Sequence, residues 1–386
     1  MKIMLTGGGT GGHFYPLIAV AREIIKIARE KHIIDPELIF ASDSFYDKKV
    51  LDEENIRFLK LPAGKMRRYF SFLNFIDFFK IIFGILVSIF KIYSEMPDVV
   101  FSKGGYASAP VVIAARIFRI PLIIHESDVV PGKAHNFVKS YAKRVAVSFD
   151  KTVKYFPKAS VALIGNPVRS GLYRGNLEES REAFNLEFVK DDKGTNKIFP
   201  EVILILGGSQ GAQKINEIIL MVLPELVKNY QIIHQCGAKN LEETKNISEV
   251  VLKDLEHKNR YHVFGFLNEF DYRDAGFASD LIISRASAGT IFEIAEWGKP
   301  SILIPITNSA QNHQRENAWE YAKIGAAEVI EEANLAPHIF LSEIKNIMKN
   351  NEKKEKMSVS AKNFSKPEAA RKIAEEIINM ALDHAD

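Results

Sequence analysis

The sequence predicts an α/β chain built twice: two Rossmann-like parallel-sheet domains facing one another across a cleft. Three observations carry this. Short, apolar, β-branched runs alternate with helical stretches along the whole chain, the pattern of strands buried on both faces and joined by crossover helices. Two glycine-rich loops about two hundred residues apart each follow an apolar run and each open a helix. A length of 386 residues is long for one core and comfortable for two.

In the first half the pattern places strands at Ile3–Leu5, Glu37–Ala41, Val99–Ser102, Leu122–His125, Val145–Ser148 and Ala162–Ile164, with a helix over Tyr15–Lys31. The second half repeats it at Val202–Leu206, Gln231–Gln235, His262–Phe264, Leu281–Ser284, Ser301–Pro305 and Ala327–Ile330. Glycine and proline in Gly165-Asn-Pro-Val-Arg169 mark a change of chain direction. The domains are therefore read as 1–165 and 166–364, with a helical tail over 365–386 packing back on the first. The polar stretch Glu187–Pro200 reads as a surface loop before the second glycine strand.

Composition excludes several function classes. With 51 basic and 48 acidic residues the charge is too balanced for wholesale nucleic-acid binding. The single cysteine, Cys236, rules out an internal disulfide, argues against a thiolate metal site and fits a reducing compartment. The N-terminus lacks a basic n-region, and Met1–Leu5 runs straight into the first glycine loop, so it reads as the first strand and not as a signal peptide.

One segment departs from the average. Met66–Tyr93 carries seven phenylalanines, Phe75, Phe79 and Phe83 among them, with Arg67 and Arg68 at its start. Asp77 and Lys80 interrupt it, so it falls short of the ~20 apolar residues that cross a bilayer. Either it lies on an anionic membrane with its aromatics dipped in, or it is a helix pair buried in the first domain.

Four loops carry chemistry. In the first, Gly7, Gly9 and Gly12 satisfy G-x-G-x-x-G and Asp43 ends the second strand, the dinucleotide fingerprint on paper. His13 follows at the helix start, where the helix dipole disfavours the imidazolium; a neutral ring there suits a general base, and the competing reading is a capping or packing histidine. The second loop, Gly207-Gly-Ser-Gln-Gly-Ala212, offers main-chain donors and the Ser209 hydroxyl to a phosphate but lacks P-loop spacing. In the third, Ser284-Arg-Ala-Ser-Ala-Gly-Thr-Ile-Phe-Glu293, a helix is expected to begin near Thr290, with Glu293 in its first turn facing neutral hydroxyls such as those of a ribose. The fourth, Gln311-Asn-His-Gln-Arg-Glu-Asn317, crowds amides where they would suit sugar hydroxyls. There is no Asp-x-Asp triplet and no Cys/His ligand spacing. A metal-clamped diphosphate is not indicated, though a free divalent cation remains compatible with the sequence.

Taken together, GGGTGGHFYP (Gly7–Pro16), GGYASAP (Gly104–Pro110), HESDVVPG (His125–Gly132), GNPVR (Gly165–Arg169), LGGSQGA (Leu206–Ala212) and Ser284–Glu293 resemble, in order, the MurG family of bacterial peptidoglycan glycosyltransferases. The resemblance covers nearly the whole chain. It implies the GT-B architecture, with the donor held mainly by the C-terminal domain. It also implies inverting transfer of N-acetylglucosamine from UDP-N-acetylglucosamine, a substrate and not a cofactor, to undecaprenyl-diphospho-N-acetylmuramoyl-pentapeptide. By motif match, Thr10, Gly11 and Gly12 sit near the donor diphosphate and the acceptor, with His13 the base and Glu126 a second catalytic candidate. Arg169 and Ser209 contact the donor and Leu267 offers its main chain to uracil. Ser287, Ala288, Gly289, Thr290, Ile291 and Phe292 wrap the diphosphate, Glu293 binds ribose and Gln314 reads the sugar. Asp128 stands where some members carry Asn, and His313-Gln314 where some carry Gln-Gln. A lipid acceptor favours the membrane reading of Met66–Tyr93 and a peripheral place on the cytoplasmic face of the plasma membrane. The rival readings are a GT-B transferase with a diacylglycerol acceptor and a nicotinamide-dependent oxidoreductase.

Overall fold

The computed structural model describes residues 1–8, 10–64, 72–132, 135, 139–156, 161–169, 171–172, 175–190, 197–208, 211–307 and 310–385. The chain divides into two compact units, Met1–Ser170 with Lys366–Asp386, and Gly171–Ser365.

In the first unit the strands are β1 (Lys2–Thr6), β2 (Glu37–Ser42), β3 (Arg57–Lys60), β4 (Val99–Ser102), β5 (Leu122–Glu126), β6 (Arg144–Val147) and β7 (Val161–Leu163). Among the described residues they form one parallel sheet, ordered β3-β2-β1-β4-β5-β6-β7. The helices are α1 (Gly11–Glu30), α2 (Lys48–Glu53), α3 (Phe72–Glu95) and α4 (Ser108–Ile117). Phe14, Leu17, Ala21, Ile24 and Ala28 recur at spacings of three and four, which puts them on one buried face of α1. The strand order reverses between β1 and β4. In such sheets a crevice opens beyond the carboxyl ends at that point, and the loops leaving β1 and β4 are the first glycine loop and Gly104-Gly105-Tyr106.

The second unit opens with α5 (Leu177–Ala183) and the two-residue strands β8 (Val189–Lys190) and β9 (Lys197–Ile198), an antiparallel pair. Its main strands are β10 (Val202–Leu206), β11 (Gln231–Gln235), β12 (Tyr261–Phe264), β13 (Leu281–Ser284), β14 (Ser301–Leu303) and β15 (Ala327–Val329). They alternate with α6 (Gln213–Leu226), α7 (Leu241–Leu252), α8 (Glu269–Ala278), α9 (Ala288–Trp297) and α10 (His313–Ala322), then α11 (Pro337–Met348) and α12 (Asn351–Phe364). The sheet is again parallel, in the order β12-β11-β10-β13-β14-β15. Here the reversal lies between β10 and β13, where Leu206 pairs with Ser284, so the second and third loops leave adjacent strands at the same end. The last helix, α13 (Ala369–Ala385), rejoins the first unit. Its Ile373, Ile377 and Ile378 share a core with α1, and Arg371 bonds Glu30 at 2.8 Å.

The expected pair of parallel-sheet α/β domains is met, with three local corrections. β3 is an extra edge strand, with Leu59 buried and Phe58 packed part-buried against the core. The stretch expected as a surface loop, Glu187–Pro200, contains β8 and β9. The Met66–Tyr93 segment holds no buried helix pair in its described part: α3 is one continuous helix. It buries Gly84, Ser88 and Ile92 and exposes Phe83, Leu86 and Phe90. Arg67 and Arg68, and the side chains of Phe75 and Phe79, lie outside the described residues.

Candidate active site

The first unit assembles its candidates around the β1–β4 crevice. Gly8 N–H donates to the Gly104 carbonyl at 3.1 Å, which ties the first glycine loop to the loop after β4. A Cβ on Gly105 would lie 2.9 Å from the Gly8 nitrogen, so this backbone contact needs glycine. Gly12 is different: a Cβ there would meet nothing within 4 Å. Packing does not require that glycine, and an approaching ligand would. Helix α1 starts at Gly11, which puts His13 in its first turn, among outward-pointing N–H groups. Its Nδ1 lies 2.9 Å from the Thr10 hydroxyl, which fixes the ring from the cap position.

Asp43, the acidic element of the dinucleotide reading, accepts a 2.6 Å bond from the Tyr106 hydroxyl. Arg169 stacks its guanidinium 4.1 Å above the Tyr15 ring, a cation–π arrangement that also orients the fork.

Glu126 ends β5 and is buried. Its carboxylate accepts from the N–H groups of Asp128 (3.1 Å) and Gly132 (2.9 Å) and faces His135 Nδ1 at 2.7 Å. Burial raises the pKa of this carboxyl, but His135 and the two N–H groups outweigh it, and the net shift is downward. The residue therefore ties Asp128, Gly132 and His135 together from inside. Asp128 contributes its carbonyl to the Thr152 hydroxyl at 3.0 Å.

Lys103, absent from the sequence reading, is buried next to this cluster and bonded to His125 Nδ1, Ser127 Oγ and Asn166 Oδ1. A lysine between an apolar strand and a glycine pair was the available signal.

In the second unit the third loop is a helix cap. Ser287 accepts the Thr290 N–H at 3.2 Å and its hydroxyl lies 2.8 Å from that of Thr290. The helix thus begins at Ala288 and not at Thr290. Glu293 is its sixth residue, a turn later than expected, because the cap lies upstream. Ala288, Ile291 and Phe292 point into the core, with Phe292 on the Phe364 ring at 4.8 Å. Any contact they make with an anion is through main-chain N–H groups. A Cβ on Gly289 would meet nothing within 4 Å, again a glycine that packing does not need. Glu293 is buried and accepts a 2.7 Å bond from the Tyr272 hydroxyl.

Leu267 buries its side chain, so any ligand contact falls to its main chain. Asn268 beside it caps α8 through the N–H groups of Phe270 and Asp271. Gln314 accepts from Ile306 N–H at 3.1 Å and steadies the chain leaving β14. Just before it, Gln311 (φ 55°) and Asn312 (φ 56°) occupy the left-handed region. Strain of that kind concentrates where a loop is held for a purpose. Glu332 is a second support missing from the sequence reading: it bonds Arg285 at 2.5 Å and the Thr307 N–H and hydroxyl at 3.2 and 2.9 Å. Ser209 lies outside the described residues. Among the described residues, no group of three or more His, Cys, Asp or Glu side chains could hold a metal ion.

The comparisons with known proteins are consistent over both units. The glycosyltransferase family 28 N-terminal domain matches residues 3–147 and the family's C-terminal domain matches residues 202–376. A relative from Clostridium botulinum (strain Kyoto / Type A2) is 38% identical over 372 residues, 94% of this chain and 97% of its own. It is named UDP-N-acetylglucosamine–N-acetylmuramyl-(pentapeptide) pyrophosphoryl-undecaprenol N-acetylglucosamine transferase. A protein of the same name from Clostridium perfringens (strain SM101 / Type A) is 36% identical over 91% of each chain. Among solved structures, Acinetobacter baumannii MurG superposes with a TM-score of 0.71 at 26% identity, covering 98% of this chain and 99% of its own. A UDP-GlcNAc 2-epimerase from Neisseria meningitidis, bound to UDP-GlcNAc, gives 0.66 at 15% identity over 98% and 100%, a likeness of fold alone.

Proposed function

The chain belongs to glycosyltransferase family 28, and we propose that within it the chain moves N-acetylglucosamine from UDP-N-acetylglucosamine to the 4-hydroxyl of undecaprenyl-diphospho-N-acetylmuramoyl-pentapeptide. It is a hexosyltransferase. One observation carries the reading: relatives named for this transfer match more than nine-tenths of the chain, and the family's two domain models span the glycine loops of both units.

The chemistry follows from the residues. His13 removes the proton from the acceptor hydroxyl as that oxygen attacks the anomeric carbon. The bond to the diphosphate breaks in the same displacement, UDP leaves with the electron pair, and the configuration inverts once. The N-terminus of α9, capped by Ser287 and open at Gly289, receives the diphosphate. Arg169 and the Thr10–Gly12 turn add positive potential. Glu293 accepts from the ribose, the Leu267 main chain meets uracil, and Gln314 stands at the sugar. Glu126 serves the site by holding the loop that carries Asp128. No resident cofactor enters this scheme.

The acceptor is a membrane lipid, and α3 offers a surface for one. Ile82, Phe83, Leu86, Phe90 and Tyr93 follow helical spacing and are exposed. Among the described residues no helix is long and apolar enough to cross a membrane. We place the chain peripherally, on the cytoplasmic face of the plasma membrane.

The test is UDP release from UDP-N-acetylglucosamine with and without the lipid-linked muramoyl acceptor. Release that depends on that acceptor, and not on diacylglycerol, supports the reading. Release with diacylglycerol alone, or binding of NAD in place of UDP, overturns it.

A further inference from the structure

Lys103 follows β4 directly and is 2% exposed. Its Nζ donates to His125 Nδ1 at 2.6 Å, to Asn166 Oδ1 at 2.7 Å and to the Ser127 hydroxyl. An ammonium has three N–H bonds, and three acceptors saturate it. The arrangement also fixes the histidine. His125 Nε2 lies 2.8 Å from the Gly165 carbonyl, which can only accept. The ring proton is therefore on Nε2, and Nδ1 presents its lone pair to the ammonium. Burial, reinforced by the nearby Lys103 charge, keeps His125 well below the usual histidine range and hence neutral.

These bonds join loops that the proposed reaction needs together. Lys103 begins the loop whose Gly104 carbonyl holds Gly8, and with it the turn leading to His13. Ser127 lies between Glu126 and Asp128. Gly165 and Asn166 begin the strap that ends at Arg169, stacked on Tyr15 of α1. We propose that Lys103 is a positioning residue for the transfer: its ammonium pins the loops after β4 and β5 and the strap after β7 in one register, and it touches no substrate itself. The role rests on the transferase reading above.

The pin titrates. Burial brings Lys103 down to about 7, against the pull of Glu126 and Asp128. The titratable groups facing it are His125, Glu126 and Asp128 on β5 and the loop after it, with His135 behind Glu126. The first glycine loop and the strap contribute Gly7 and Asn166, which do not titrate. A neutral amine has two N–H bonds for three acceptors, so the junction slackens above that pH. Ser127 can turn its hydroxyl toward the freed lone pair, but all three contacts are then between neutral groups and weaker than the charge-assisted bonds they replace.

The experiment compares wild type, Lys103→Met and Asn166→Asp in acceptor-dependent UDP release from pH 6 to 9, with UDP binding by calorimetry as the check on folding. Wild type should lose kcat on an alkaline limb centred near 7. Lys103→Met should lower kcat at pH 6.5 by about tenfold or more, leave KM for UDP-N-acetylglucosamine within about threefold, and abolish that limb. Asn166→Asp places a carboxylate against the ammonium and should move the limb up by about one pH unit or more. A Lys103→Met enzyme with near-normal kcat and the wild-type limb overturns the proposal. So does an Asn166→Asp limb that stays in place, which decides the matter should Lys103→Met not fold. Wild type that releases no UDP with the lipid acceptor defeats the transferase reading instead. In that case amide exchange over Gly7–His13 and Gly165–Arg169 still judges the pin, which fails if Lys103→Met leaves that exchange unchanged.

Discussion

Glu293→Gln isolates the proposed ribose contact. Glu293 is buried on the second turn of α9, and the Tyr272 hydroxyl already donates to Oε2 at 2.7 Å. Glutamine keeps the volume and one acceptor oxygen, so the Tyr272 bond survives and the fold with it. The second oxygen becomes an NH2 group, and the charge is lost. A hydrogen bond to a charged group is worth ~1.5–3 kcal/mol and a neutral one ~1 kcal/mol. Replacing hydroxyl-to-carboxylate bonds by one neutral bond and one mismatched donor should therefore remove ~1.5–3 kcal/mol. At ~1.4 kcal/mol per decade this weakens UDP binding by about 10- to 100-fold. The assay is calorimetry of UDP and of 2′,3′-dideoxy-UDP against both proteins. If the carboxylate reads the ribose, Glu293→Gln weakens UDP and is nearly neutral toward the dideoxy nucleotide, a coupling the double cycle isolates. Equal losses for both nucleotides, or no loss for UDP, would remove Glu293 from the ribose and refute the reasoning.

Other perturbations follow from the same geometry. His13→Ala should cut turnover by at least ~10²-fold while UDP binding, measured by calorimetry, is kept; near-normal turnover would end its role as base. Gly276→Ala places a Cβ 2.0 Å from Trp297 Cε2 and should destabilise the fold by ~1–3 kcal/mol or more, read as a lower thermal midpoint. Because Trp297 lies against Tyr272, weaker UDP binding should accompany that loss. Phe83→Glu with Phe90→Glu, at 59% and 69% exposure, should reduce binding to anionic phospholipid vesicles by about tenfold or more without altering turnover on a water-soluble acceptor analogue. Glu126→Gln should cost ~1–3 kcal/mol in denaturant unfolding at pH 7. The gap should close as pH falls below 4.5, since the depressed carboxyl stabilises only while ionised.

The strands were legible because parallel strands buried on both faces are nearly unbroken apolar runs. Val99–Ser102, Val202–Leu206 and Gln231–Gln235 read true to the residue. β3 was not, because Arg57-Phe-Leu-Lys60 is an edge strand with one buried side chain, and such a strand takes its identity from Ile39–Ser42 beside it. The start of α9 was misplaced for a local reason. Ser-Ala-Gly-Thr looks like a turn, yet Ser287 caps the helix and hands Ala288 to it. Motif residues stood out because glycine runs and amides are rare in apolar contexts. Their supports did not. Lys103 meets Ser127 and Asn166 across 24 and 63 residues, and Tyr272 meets Glu293 across 21. No local spacing encodes such pairs; the first two exist only once the sheet order brings β4, β5 and β7 within reach of one another, and the third only once α8 packs beside α9.

Those buried supports carry a consequence for the pH range in which the loops keep their geometry. Glu126 is depressed, so its anchoring is present above the ordinary carboxyl range and is lost as pH falls through its folded value. Lys103 is also depressed, from 10.5 to about 7, but for a base the sign differs. Between those two values the unfolded chain holds a proton that the folded chain has given up. Unfolding free energy then rises with pH, by at most ~1.4 kcal/mol per unit from this one group. Deprotonating Lys103 therefore relieves a buried charge and stabilises the fold while it removes a donor from the junction of three loops. Stability and turnover should part company above neutrality, the first rising as the second declines. A lysine kept only to hold the fold together would give no such divergence. In the proposed role, the burial that makes this cation costly confines the alignment of the loops around His13 and Arg169 to the pH range in which Lys103 stays protonated.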